Sequence, residues 1–253
     1  MKKWLMVILV LCASVLSGCG GVAKANKLYV PTVLLTFDDG HHGVYDTAMP
    51  IMDKYGFKGT AYVVSDWVGD TKTFKMTWPQ LDELYSKGWA IANHTKDHTD
   101  LTKLTEQGVI DELTTCENAL LTRGYTRSAR HVAYPYGDVN ETVLSAMSKT
   151  GMLTGRTLNA DKQATSLTEF KLITPSLYVL DNTTLETAES ALNNAISNKR
   201  PCVVVFHKIV PSLTGNEDQW TTTNFKAFID YIASKNIRAI TIDEYYDELK
   251  GVN

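Results

Sequence analysis

The chain predicts an α/β fold on a parallel sheet, either a β/α barrel or an open doubly wound sheet. Three observations lead there. Short apolar runs alternate with amphipathic helical patterns over nearly the whole length. The runs are continuously apolar, as strands covered by helices on both sheet faces must be. Polar residues capable of chemistry gather at the carboxyl ends of these runs, the side on which the reactive groups of parallel barrels collect.

The order of elements begins after a leader. "MKKWLMVILVLCASVLSGCG" places two lysines before an apolar run from Trp4 to Leu16 and then small residues, the layout of a secretory signal. The run is shorter than the roughly 20 apolar residues of a membrane span. "LSGC" resembles the lipobox of bacterial-type lipoproteins, with Cys19 as the lipidated first mature residue; ordinary signal cleavage nearby is the alternative. The expected organisation is a lipoprotein-type signal at 1–18, a tether at 19–31 that includes "GGVAKAN", and a single domain at 32–250.

Within that domain "VLLTF" (33–37) reads as a strand, followed by a helical pattern from Val44 to Tyr55. "GTAYVV" (59–64) leads to a helix from Pro79 to Lys87, and "WAIANH" (89–94) to a long amphipathic run from Glu106 to Arg123. In that run Val109, Ile110, Leu113 and Leu120 recur at helical spacing. "HVAYP" (131–135) precedes a helix from Glu141 to Lys149, stopped by Gly151. "LTGRTL" (153–158) and a less regular "KLITPSLYV" (171–179) follow. The pattern ends with a helix from Thr184 to Asn198, the strand "CVVVFH" (202–207), a helix from Thr223 to Lys235, and "IRAITI" (237–242).

Formal charge is −3, and −5 without Lys2 and Lys3 of the leader; no basic stripe remains, which argues against a nucleic-acid partner. Of four cysteines, Cys12 and Cys19 belong to the leader and its end, leaving Cys116 and Cys202. One disulfide is conceivable outside the cytoplasm. Two separate buried thiols fit better, since Cys116 sits in a helical pattern and Cys202 opens an apolar strand.

"TFDDGHH" (36–42) ends the first strand with two adjacent carboxylates, which oppose each other's ionisation. Asp38 and Asp39 follow the first strand, His94 and His98 the third, "YPYG" the fourth, and His207 closes a late one. Taken singly, each has an ordinary explanation: a solvated turn, a rigid Pro turn, a strand closed by a hydrogen-bonded histidine. The spacing in "HTKDH" lets two histidines share one face of a helical turn and reach a common metal. Together, all of these coincidences would have to fall at the same kind of location.

"TFDDG", "HTKDH", "AYPYG" and "VVVFH", in this order, resemble the successive motifs of polysaccharide deacetylases with a NodB homology domain, carbohydrate esterase family 4. The resemblance runs from about Val33 to Ile242. It implies a distorted (β/α) barrel, typically of seven parallel strands, and metal-dependent removal of acetyl groups from a glycan. By resemblance Asp39, His94 and His98 hold one divalent metal, zinc in the first place and cobalt, nickel or iron as alternatives. Asp38 is then the general base, and the metal's charge stabilises both carboxylates. His207 is the general acid, and the backbone N–H of Tyr136, set by Pro135, helps hold the oxyanion.

Many family members carry an arginine where this chain has Ala133, paired with an aspartate in a later D-x-x-D-W segment; both are missing here. "AYPYG" is similar to the form found in poly-N-acetylglucosamine deacetylases. Arg130 and Arg156 are the arginines that could stand in near Asp38, although surface or packing roles account for both. His41 and His42 are expected on the rim, and Trp67, Trp78, Tyr134 and Trp220 are explained by packing before sugar stacking. The leader implies an exported protein, lipid-anchored through Cys19 at the outer face of the membrane or secreted, and a monomer is expected. Its substrate would be an acetylated cell-envelope or extracellular polysaccharide, with N-acetyl groups of N-acetylglucosamine first. A catalytically silent glycan-binding relative and a small-molecule amidohydrolase are the alternatives.

Overall fold

The computed structural model describes residues 29–158, 173 and 175–251. The predicted signal at 1–18, Cys19 and most of the tether lie outside the described residues, as do parts of "KLITPSLYV". None of the described helices is long and apolar enough to cross a membrane.

Among the described residues ten strands and seven α-helices follow in chain order: β1 Thr32–Phe37, α1 Met49–Asp53, β2 Thr60–Val63, α2 Trp78–Ser86, β3 Ala90–Asn93, α3 Glu106–Thr122, β4 His131–Ala133, α4 Glu141–Lys149 and β5 Thr154–Arg156, then β6 Leu177–Tyr178, α5 Leu185–Ser197, β7 Cys202–Phe206, β8 Lys208–Val210, β9 Gln219–Thr221, α6 Thr222–Ser234, β10 Arg238–Ala239 and α7 Ile242–Lys250. Seven strands form one curled parallel sheet in the order β5-β4-β3-β2-β1-β7-β6, a distorted (β/α) barrel. Among the described residues, Ile173 adjoins β5 on the side of the seam with β6. Ile173 N–H donates to the Gly155 carbonyl at 2.8 Å, and Thr157 N–H donates to Ile173 at 2.9 Å, while β6 four residues on pairs with β7.

Why helices start where they do is written in small polar caps, whose side-chain oxygens accept the otherwise unpaired first N–H groups. Thr105, Asn140, Thr184 and Thr221 accept from the third residue of α3, α4, α5 and α6. Thr77 with Gln80 and Thr241 with Glu244 form reciprocal capping boxes at α2 and α7. The last of these overturns part of the expected strand 237–242. Only Arg238 and Ala239 pair, with Thr32 and Val33 of β1, and Ile242 already opens α7. The region 44–55 is likewise split, a five-residue π segment at Val44–Ala48 running into the short α1.

The period of two along each strand decides what faces the barrel interior. Val33, Leu35 and Phe37 point outward into the large core shared with the helices. Leu34, Ala90 and Val203 point inward, where Ile240 and Ile242 close the floor. Tyr62, Ala92 and Ala133 form the layer above. Continuing the same parity beyond the strand ends brings Asp38, His94 and His207 to the inward side of the mouth.

Candidate active site and metal centre

Parallel register sets neighbours on the rim. Phe37 pairs with Phe206, so Asp38 and His207 follow side by side; Asp38 N–H donates to the Phe206 carbonyl at 2.9 Å. His207 Nε2 stands 3.9 Å from Asp38 Oδ2. The β3–β4 register puts His94 next to Ala133, and His94 Nδ1–H donates to the Ala133 carbonyl at 2.8 Å. That bond fixes the tautomer and turns Nε2 into the mouth.

Asp39, His94 and His98 each offer one ligand atom, all within 4.8 Å of one another. Asp39 Oδ1 lies 3.4 Å from His94 Nε2 and 3.5 Å from His98 Nε2, is buried, and accepts no hydrogen bond of ordinary geometry. A buried carboxylate oxygen facing two imidazole nitrogens fits a divalent cation, whose charge would satisfy all three. Burial opposes ionisation of Asp39, but its imidazole neighbours, His41 and His94 foremost, hold its pKa well below the usual carboxylate range. Burial and the neighbouring His94 push His98 down to about 4, leaving it neutral, the form in which an imidazole can bind a metal.

His98 does not share a helical turn with His94, contrary to the spacing argument. The connecting loop is irregular, with Thr95 at φ 69° and His98 at φ 68°. It is held from below: Thr95 N–H donates to Asn93 Oδ1 at 2.9 Å, His98 N–H to Thr95 Oγ1 at 3.0 Å, and Lys96 and Asp97 N–H both to Glu112 Oε2 of α3 at 3.1 Å. Asp39, at φ 68°, and Tyr136, at φ 60°, are also left-handed. Pro135 opens the one-turn helix that carries Tyr136, whose exposed ring meets His98 edge-on at 4.8 Å. Gly137, at φ 74°, has no alternative, because a Cβ there would stand 2.4 Å from the Leu158 nitrogen.

The missing motif arginine has a structural substitute. Arg156 is 1% exposed and its guanidinium donates to Asp38 Oδ2. Its register partner on β4 is Ala133, so the cation comes from the neighbouring strand at the same level. The small side chains of Ala92 and Ala133 leave room for it over the Tyr62 ring, 5.3 Å from the centroid. Packing or a surface position does not describe Arg156. Arg130 does lie toward the surface, donating to Glu117 at 2.6 Å. Asp38 Oδ1 is buried and accepts no hydrogen bond, so one oxygen is anchored and the other is free.

The two histidines after the motif diverge. His42 turns outward to Asp46 and Gln80. His41 is buried beside Asp39 rather than displayed on the rim. Of the aromatics, Tyr134 and Trp220 are core residues, and Trp78 packs on Tyr125. Trp67 lies against His98 at 5.1 Å. Two features at the mouth escaped the sequence reading: Lys75, and the small parallel ribbon of β8 and β9.

A curled parallel barrel whose rim carries an Asp-His-His set beside a second aspartate and a histidine defines a barrel hydrolase. The polysaccharide deacetylase profile matches residues 25–155, and the chain belongs to that family. It is 30% identical over 146 residues to a poly-β-1,6-N-acetyl-D-glucosamine N-deacetylase of Staphylococcus epidermidis, a match covering 53% of this chain and 50% of that one. The chain spans about half the length of the curated relatives it matches. Among solved structures, the Xyl-CE4 domain of a multidomain xylanase from the hindgut metagenome of Trinervitermes trinervoides superimposes with a TM-score of 0.61. That match has 19% identity and covers 88% of this chain and 93% of that one. The Streptococcus pyogenes deacetylase PplD, in complex with acetate, gives a TM-score of 0.55 at 25% identity, with 63% and 70% covered.

Proposed function

We propose that the protein is a metal-dependent glycan deacetylase that removes N-acetyl groups from N-acetylglucosamine residues of a cell-envelope or extracellular polysaccharide. The observation that carries this reading is the free oxygen of Asp38 next to the free oxygen of Asp39. One is placed to take a proton, the other to hold a cation. Asp39, His94 and His98 would hold zinc or a similar divalent ion, which supplies Lewis-acid polarisation and makes a nearby water more acidic.

The chain's own groups supply the rest. Arg156 anchors Asp38 through Oδ2, so Oδ1 accepts the proton of the attacking water as the acetyl carbonyl becomes tetrahedral. The backbone N–H of Tyr136 stabilises the oxyanion, a kind of contact commonly worth about 10²–10³ in rate. His207, beside Asp38, protonates the departing sugar nitrogen. The name of the Staphylococcus epidermidis relative and the "AYPYG" form favour a poly-N-acetylglucosamine substrate. Export with a lipid anchor on Cys19 is part of the same proposal and rests on the leader sequence.

Acetate release from chito-oligosaccharides, peptidoglycan, poly-N-acetylglucosamine and acetylxylan, with and without chelator, tests it. Asp38→Asn should keep its metal and lose most activity, whereas Asp39→Asn should lose both. Turnover by Asp38→Asn at the parental rate would remove the base assignment. No chelator-sensitive acetate from any substrate would leave a glycan-binding relative or a small-molecule amidohydrolase.

A further inference from the structure

Asp39 has two oxygens, and only Oδ1 faces His94 and His98. Oδ2 points the other way, 3.3 Å from His41 Nε2 and 3.8 Å from Lys75 Nζ. Lys75 Nζ is in turn 3.3 and 3.5 Å from the two ring nitrogens of His41. Both side chains are buried, at 6% exposure each. The pairing is built into the backbone. Residues 74–76 run antiparallel to 40–42, with His42 N–H donating to the Phe74 carbonyl and Met76 N–H to the Gly40 carbonyl, both at 2.8 Å, so that His41 and Lys75 stand opposite each other. Trp67 covers the ammonium at 4.5 Å and also lies against His98.

A carboxylate can give a metal one oxygen or two, and groups that bind the outer oxygen decide between them while fixing the orientation of the inner one. We propose that His41 and Lys75 clamp Oδ2 of Asp39, making it a one-oxygen ligand and setting the metal affinity of the site. The clamp rests on the reading of Asp39, His94 and His98 as a metal centre. His41 and Lys75 are positioning residues, since they act through Asp39 and lie behind it. His41 Nε2–H donates to the carboxylate and Lys75 Nζ lies against the same ring, so the imidazole and the ammonium together face the anion and none of the three is stranded in the interior.

The test is equilibrium metal binding by chelator competition on the full folded protein, with zinc and cobalt as probes and circular dichroism and melting temperature as checks on the fold. His41→Phe should weaken zinc binding about 10–100-fold, the usual consequence of losing such a partner. His41→Gln, whose amide can donate to the same oxygen, should recover part of the loss, and His42→Ala should bind as the parent does. Lys75→Met leaves Oδ2 held by His41 alone, so the cobalt-loaded variant should shift toward the weaker visible absorption of a higher coordination number. Should His41→Phe not fold, the Lys75→Met spectrum decides alone. Parental zinc affinity in His41→Phe together with a parental cobalt spectrum in Lys75→Met would overturn the clamp and leave the metal centre standing. A parent protein that takes up no stoichiometric metal would remove the metal centre and the clamp with it.

Discussion

Replacing Arg156 with Met should destabilise the protein far more than an ordinary ion-pair deletion. Surface pairs are worth little because water screens them; here Arg156 and Asp38 are 1% and 2% exposed, so screening is largely absent. Removing one partner of a buried pair strands the other charge, at a cost of about 3–5 kcal/mol. For a domain of this size that lowers the melting temperature by roughly 6–20 °C. Asp38→Asn should do comparable harm by stranding the guanidinium over Tyr62. The double variant carries neither charge, so its loss should fall short of the sum of the singles by about 2 kcal/mol or more. Arg156→Lys should recover only part, since an ammonium lacks the planar fork. Urea unfolding of the parent, both singles and the double, with chelator present throughout, measures this coupling apart from metal binding. Strict additivity, or an Arg156→Met variant as stable as the parent, would show that the guanidinium is independent of Asp38.

Other outcomes follow from single contacts. His207→Ala should depress hydrolysis of an N-acetylglucosamine oligomer by about 10²–10⁴ and that of an activated aryl acetate much less, since only the amine needs a proton to leave; equal losses would assign the proton to another group. Burial holds His131 near a pKa of about 4 against 6.5 when exposed. The unfolded chain therefore binds a proton between those values that the folded chain refuses. Stability should be complete above about pH 6.5 and fall by up to about 3 kcal/mol toward pH 4, a slope that His131→Gln reduces. Burial pushes Cys116 and Cys202 up to about 12, so neither thiol should react with an alkylating reagent until the protein unfolds.

The barrel was legible because its strands are short, wholly apolar and punctuated by helices with polar caps. β3 and β7 stand almost where their hydrophobic runs lie. Elements whose existence depends on partners were not. Ile240 and Ile242 extend an apolar run, yet the capping box of Thr241 and Glu244 ends it, and Ile242 N–H donates to Thr60 Oγ1 on the barrel floor. β8 and β9 are three residues each and are defined by pairing with one another. At the mouth, the rim positions could be read as strand-end residues. Arg156 could be named as a stand-in but not chosen over Arg130, because its role depends on register with Ala133, which no local pattern expresses. The one available signal was the joint loss of the family's arginine and its aspartate, which left Asp38 without a cation. His41 was misplaced for a similar reason: its partner Lys75 is 34 residues away.

The left-handed residues at the mouth carry one more consequence. Asp39, Thr95, His98 and Tyr136 each hold a backbone conformation that L-residues resist by about 1–2 kcal/mol, a combined load comparable to much of a typical domain's net stability. The mouth therefore behaves like a latch kept shut by the barrel beneath it. When a distant core substitution weakens the barrel, the latch should spring first, so that catalytic geometry is lost while the strands still exchange their amide hydrogens slowly. A lineage that no longer needed the chemistry could grow more stable simply by letting glycines into those four places.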